Sequence, residues 1–240
     1  MPVALITGGA SLIGKESARR LMADGWTVVL ADIDKKALDA AASDLGGANK
    51  VSTDVLDVTD LAAVRATVDR IVKTHGSLDG MVTCAGGLRG LGYDMKPFAE
   101  IGPQEWIHTI EVNLVGVMNC CHAALPVMRK AKKGAIVNIT AGLYGAKDKS
   151  IYSAAKAGAN RFFQAIAAEV AKDGVRVNSV MPGSTDARWR KPGFQATNES
   201  PLGRETRPED VGNTVAFLMS ADADHITGTI LDTSGGTGLH

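Results

Sequence analysis

Tyr152 and Lys156 stand four residues apart in Tyr152-Ser153-Ala154-Ala155-Lys156. On a helix that spacing is about one turn, so both side chains project from one face. A free phenol has a pKa near ~10 and is a poor base at neutral pH, but a neighbouring ammonium favours its anion. Such a pair could remove a hydroxyl proton while hydride leaves the adjoining carbon. The spacing alone equally describes an ordinary pair on a helix surface.

A second constellation is Thr7-Gly8-Gly9-Ala10-Ser11-Leu12-Ile13-Gly14, between an apolar run and a helical pattern. A glycine turn there lets a phosphate approach main-chain N–H groups at the positive end of the helix. Asp32 follows Gly14 at the end of the next apolar run. A carboxylate in that place accepts from both ribose hydroxyls of an adenosine and repels a 2′-phosphate. Ser11 and Ile33 are not basic, so NAD is expected in preference to NADP. The plainer reading is a tight turn and a solvated aspartate, but turn, position and Asp32 together favour a dinucleotide.

The elements that must position these groups alternate from end to end. Strands are expected at Val3–Thr7, Thr27–Asp32, Lys50–Asp54, Gly80–Cys84, Ala135–Thr140, Val175–Met181 and Thr229–Asp232. Most are continuous apolar runs, as helices on both faces of a parallel sheet require. Helices are expected at Leu12–Asp24, Lys35–Leu45, Asp60–His75, Pro103–Lys132, Ile151–Lys172 and Pro208–Met219. Gly25, Gly76, Gly134 and Gly174 are expected to close helices ahead of strands. The pattern predicts an α/β, three-layer doubly wound Rossmann fold with a seven-stranded parallel sheet. One domain over residues 1–240 is expected. Its two long irregular stretches, Ala85–Gly102 and Gly183–Arg207, leave the carboxyl ends of strands, where such sheets bind ligands.

These motifs, with Asp54-Val55, Ala85-Gly86, Val112-Asn113-Leu114-Val115-Gly116, Pro182-Gly183, Pro208-Glu209-Asp210-Val211 and Asp232-Thr233-Ser234-Gly235-Gly236, resemble the short-chain dehydrogenase/reductase family. The resemblance covers essentially the whole chain in order. It implies an NAD-dependent oxidoreductase that interconverts a secondary alcohol and a ketone, with Tyr152 as acid/base. Lys156 would bind the nicotinamide ribose and depress the phenol's pKa, and Asn113 would hold a water in the proton relay. For Asn113 the plainer role is a helix-kink residue bonded to backbone. The resemblance also implies coenzyme contacts at Gly8, Ser11, Leu12, Ile13, Gly14, Ala85 and Gly86. Asp54 would meet the adenine amine, Val55 the ring edge, and Pro182 and Gly183 the nicotinamide. A homotetramer built through the two long helices is the family's habit.

Several positions depart from the family. Leu12 replaces a glycine that allows close approach to the pyrophosphate, which should change the loop or the coenzyme's seating. Thr83-Cys84-Ala85-Gly86 replaces Asn-Asn-Ala-Gly. Ala187 stands where a threonine binds the carboxamide, with Thr185 a substitute. The catalytic serine is missing: its place falls on Ala141, or on Thr140 if the shortened loop is aligned differently. Thr140, or Tyr144 as the lesser candidate, is expected to take its role. The missing serine keeps open a non-catalytic NAD-binding module. A 3-oxoacyl-thioester reductase is the rival enzyme, disfavoured by the lack of a basic residue at Ser11 or Ile33.

Composition limits the remaining choices. Lys plus Arg and Asp plus Glu both number 26, so no overall charge attracts nucleic acid or an anionic membrane. Hydrophobic residues make up 45% and charged residues 22%, within the globular range. No stretch is expected to supply the ~18 apolar residues of a membrane span. No secretory signal is read at the start, and Cys84, Cys120 and Cys121 make a poor disulfide framework, so a cytoplasmic protein is expected. The histidines lack ligand spacing, so no catalytic metal is expected. Arg188, Arg190, Lys191, Lys147 and Lys149 would attract an anionic substrate, or belong to solvated loops.

Overall fold

A computed structural model of the chain describes residues 1–47, 51–87, 97–142, 148–185 and 200–237. Seven strands form one sheet in the order β3-β2-β1-β4-β5-β6-β7, and every described pairing is parallel. They are β1 (Val3–Thr7), β2 (Thr27–Asp32), β3 (Val51–Val55), β4 (Gly80–Thr83), β5 (Gly134–Ile139), β6 (Val175–Pro182) and β7 (Ile230–Thr233). The helices are α1 (Leu12–Ala23), α2 (Lys35–Asp44), α3 (Leu61–His75), α4 (Pro103–Ile110), α5 (Gly116–Ala131), α6 (Ser150–Val170) and α7 (Pro208–Met219).

The continuous apolar strands have their physical reason in the two cores. Val3 and Leu5 of β1 enter one cluster with α3, α5 and α6. Ala4 and Ile6 enter the other with α1, α2 and α7. Alternate side chains on one strand therefore bury against opposite layers, which is the doubly wound architecture. Phe163 of α6, 1% exposed, is among the largest contributors, at roughly 1.5–3 kcal/mol for such a side chain. The chain runs outward from β1 to β2 and β3, then returns to add β4 on the other side of β1. β1 is thus the point where the strand order reverses, beside which doubly wound sheets bind ligands at the carboxyl ends of their strands.

Three expectations need correction. The long helix expected over Pro103–Lys132 runs continuously over Pro103–Ala131, but a π turn at Glu111–Val115 separates α4 from α5 within it. Gly134 closes no helix: it opens β5, and Lys132 takes the left-handed position with φ 53°. By length and composition, Pro103–Ala131 is also apolar enough to cross a membrane. It lies against the sheet instead, with Val117, Cys120, Cys121, Ala124 and Met128 in the core, as a core helix does.

Candidate active site

The glycine turn is built by its own contacts. Gly8 has φ +63°, and a Cβ there would lie 2.6 Å from the Ala85 nitrogen and 2.7 Å from the Cys84 carbonyl oxygen. Only glycine allows both that backbone and that approach to the β4 loop. The Gly9 N–H donates to the Ala31 carbonyl (3.0 Å) and the Ser11 N–H to the Gly8 carbonyl (3.0 Å). Ser11 Oγ caps α1 by accepting from the Gly14 N–H at 3.0 Å, the usual service of an N-cap serine. The N–H groups of Leu12 and Ile13 find no partner among the described residues. Two open donors at a helix N-terminus form an anion cradle.

Leu12 does not prevent the turn from closing. It is the half-buried first residue of α1, while Ile13 packs toward the α1–α7 core. Asp32 ends β2 beside this turn. One carboxylate oxygen accepts from the Ala10 N–H at 3.1 Å and the other from the Asp34 N–H at 3.2 Å. Main-chain donors thus fix its orientation, and each oxygen keeps a further lone pair. Asp54 is the last residue but one of β3, bonded to Thr67 and Arg70 of α3. Val55 is 54% exposed and Ile33 67%, an uncovered apolar pair flanking Asp32.

From β4 the segment Cys84–Gly87 meets the same glycine turn. Cys84 Sγ lies 3.4 Å from Ser11 Oγ, and burial pushes its thiol above the usual range. The Ala85 N–H reaches Thr7 Oγ1 at 3.5 Å. A Cβ on Gly86 would stand 2.5 Å from Asn113 Oδ1 and 3.5 Å from Lys156 Nζ. Asn113, fully buried in the π turn, accepts from the Gly87 N–H (2.9 Å) and donates to the Gly87 and Thr109 carbonyls (3.2 and 3.0 Å). Its side chain is therefore a clamp on backbone.

Tyr152 and Lys156 do share a face at the start of α6. Lys156 Nζ lies 5.7 Å from the centroid of the Tyr152 ring and donates to the Ile139 carbonyl at 3.0 Å. Burial pulls the lysine down to about 8. The phenol moves opposite to expectation: burial, then the Cys84 thiol, pushes it up to about 12. The reason is placement, since the ammonium is spent on a carbonyl and faces the ring rather than offsetting the cost of a buried phenolate.

Thr140 follows β5, its N–H bonded to the Val180 carbonyl at 2.9 Å. It is 2% exposed, yet its Oγ1 has no hydrogen-bond partner among the described residues. A buried hydroxyl without a partner is costly and calls for a missing one. The next residues, Ala141 and Gly142, carry no hydroxyl; Tyr144 lies outside the described residues. Just after β6, a Cβ on Gly183 would meet Thr206 Oγ1 at 2.5 Å, so Thr206 closes the space beside Gly183. Thr185 Oγ1 turns back to the Gly183 carbonyl at 3.0 Å. Ala187, Arg188, Arg190, Lys191 and Lys147 are outside the described residues. Sequence reasoning missed the contacts made by Cys84, Thr206 and Arg70, which no local pattern announces. Among the described residues no group of three or more His, Cys, Asp or Glu is placed to hold a metal.

The family model for short chain dehydrogenases matches residues 2–198, and the chain belongs to that family of oxidoreductases. It is 35% identical to a 3-oxoacyl-(acyl-carrier-protein) reductase of Thermotoga maritima, over 98% of this chain and 96% of that protein. It is 37% identical to a cis-4-hydroxycyclohexanecarboxylate dehydrogenase of Sinomonas cyclohexanicum, over 98% and 95%. Among solved structures it resembles levodione reductase, with a TM-score of 0.89, 29% identity and coverage of 99% and 97%. An NAD+-bound xylitol dehydrogenase gives 0.87 at 25% identity, with 98% of each chain covered.

Proposed function

We propose that this chain is an NAD-dependent oxidoreductase interconverting a secondary alcohol and a ketone, one domain over residues 1–240 with a substrate loop at about 183–207. The observation that carries the reading is a run of contacts at the carboxyl ends of the strands: Asp32 oriented by the Ala10 N–H, Ser11 at the helix N-terminus against Cys84, Gly86 beside Asn113 and Lys156, and Lys156 over the Tyr152 ring. These residues fit a dinucleotide: an anion cradle for its pyrophosphate, an acceptor for its ribose, and buried polar groups at the far end. When bound, the nicotinamide would supply hydride exchange.

The chain's own residues do the rest. The Tyr152 phenol, held neutral by burial, gives its proton to the ketone oxygen, and in the reverse direction its phenolate takes the proton back. The unpartnered Thr140 hydroxyl donates to that same oxygen in the serine's place. Lys156 contributes its charge to the polar end of the site, and Asn113 holds the Gly86–Gly87 backbone beside it. The similarity to an acyl-carrier-protein reductase and to a carboxylate-bearing alcohol dehydrogenase supports a substrate carrying an anionic group. We further propose a cytoplasmic homotetramer assembled through the two long helices. No nucleic acid or membrane enters this reading.

A panel of secondary alcohols, screened for reduced coenzyme with NAD and with NADP, tests the reading. We expect turnover with a higher kcat/KM for NAD. A preference for NADP overturns the role of Asp32, and NAD binding without any turnover leaves the non-catalytic module.

A further inference from the structure

The two carboxylates at the carboxyl ends of β2 and β3, Asp32 and Asp54, are held in different ways. Asp32 is oriented by main-chain N–H groups on both oxygens. Among the described residues Asp54 is held from α3 alone, and on one side. Its Oδ2 accepts from Thr67 Oγ1 at 2.7 Å and from Arg70 Nη2. Arg70 Nη2 also donates to Thr67 Oγ1 at 3.0 Å, which closes a triangle of three side chains. Thr67 is fully buried, so one corner cannot move. Oδ1 makes no hydrogen bond among the described residues, and the Asp54 side chain remains 22% exposed. Asp54 lies opposite Ala31, and the next residue, Val55, lies opposite Asp32.

We propose that Thr67 and Arg70 are positioning residues for purine recognition: by pinning Oδ2 they leave Oδ1 as a single oriented acceptor for the six-amino group of adenine. The proposal rests on the dinucleotide reading above. An unpinned carboxylate would rotate and offer either oxygen, so the triangle lowers the entropy lost on binding. A purine with a six-oxo group presents an acceptor to an acceptor. Both groups then lose water without gaining a bond.

The probes are NAD and nicotinamide hypoxanthine dinucleotide, which differ at that one purine position. Kd is measured by calorimetry, and kcat and KM with each are measured on the best alcohol of the panel. The wild type should bind NAD about tenfold more tightly, which is the loss of one hydrogen bond to a charged group. Thr67→Val and Arg70→Met should shrink that ratio below about threefold, Thr67→Ser should restore it, and the change should fall on KM for NAD rather than on kcat. Arg70 is 57% exposed at its side chain, so Arg70→Met keeps the test free of core disruption. An unchanged ratio in both variants overturns the proposal, as does a wild type that binds the two dinucleotides equally. A wild type that binds neither overturns the dinucleotide reading and this proposal with it.

Discussion

The two ends of the sheet use buried polar groups in opposite ways. At the amino end they are closed on one another. Asp79, just before β4, accepts from the Val3 N–H (2.9 Å) and Ser77 Oγ (2.6 Å). Asp173, before β6, takes Arg129 Nε (2.6 Å) and Lys132 Nζ (2.5 Å). Arg176 donates to the Leu218 and Ser220 carbonyls that end α7 (2.6 and 3.1 Å). At the carboxyl end, Thr140 Oγ1 and the N–H groups of Leu12 and Ile13 have no partners among the described residues, and burial displaces Tyr152 and Lys156 in the direction that disfavours their charged forms. Ser17 Oγ within α1 and Asn160 Oδ1 within α6 also lack a partner among the described residues, but the carboxyl end combines such groups with displaced titrating side chains, as ligand sites do. The contrast says which end is scaffold and which is site.

That contrast can be broken by substitution. The largest effect is expected at Thr140. Thr140→Ala should lower kcat about 10²–10³-fold if its hydroxyl donates to the substrate oxygen, while Thr140→Ser keeps most of the activity. Steady-state turnover of the two variants decides this, and an alanine enzyme equal to wild type removes Thr140 from the site. Next comes Gly8→Ala, which places a methyl 2.6–2.7 Å from backbone of Cys84 and Ala85 at a positive φ. Strain of that kind costs about 1–3 kcal/mol, so a lower melting temperature and weaker NAD binding should appear together.

The smallest effect belongs to the amino end. Hydrogen bonds from Lys132 and then Arg129 hold the Asp173 carboxyl down to about 2, against an ordinary value of 3.8. Its contribution to stability is therefore fully present above the ordinary value and is lost as pH falls through about 2. Asp173→Asn should lower the melting temperature at pH 7 and much less at pH 2, and should leave kcat and KM unaltered. Melting curves at both pH values, with one kinetic assay, check each half of that statement.

How much of this was legible in the sequence follows the range of the interactions. β1 and β2 and helix α7 have the bounds the apolar pattern predicted, because burial on both faces of a strand and Pro208 at a helix start are local facts. The glycine turn, Asp32 and the Tyr152/Lys156 spacing were equally visible. The π turn was not, since one wide turn inside a continuous apolar helix leaves the composition unchanged. The left-handed Lys132 was hidden because Gly134, two residues on, offered a more familiar signal. The upward shift of Tyr152 depends on burial and on where the Lys156 ammonium rests. The triangle of Asp54, Thr67 and Arg70 joins β3 to α3, and no spacing rule links those residues.

The central claim is that the Tyr152 hydroxyl carries the proton in the redox step. The most direct measurement mixes saturating NAD and an active secondary alcohol with wild type and with Tyr152→Phe, and follows reduced coenzyme in a single turnover. The account predicts a rate about 10²–10⁴-fold lower for the phenylalanine enzyme, with NAD binding unchanged between the two. Equal single-turnover rates would contradict it.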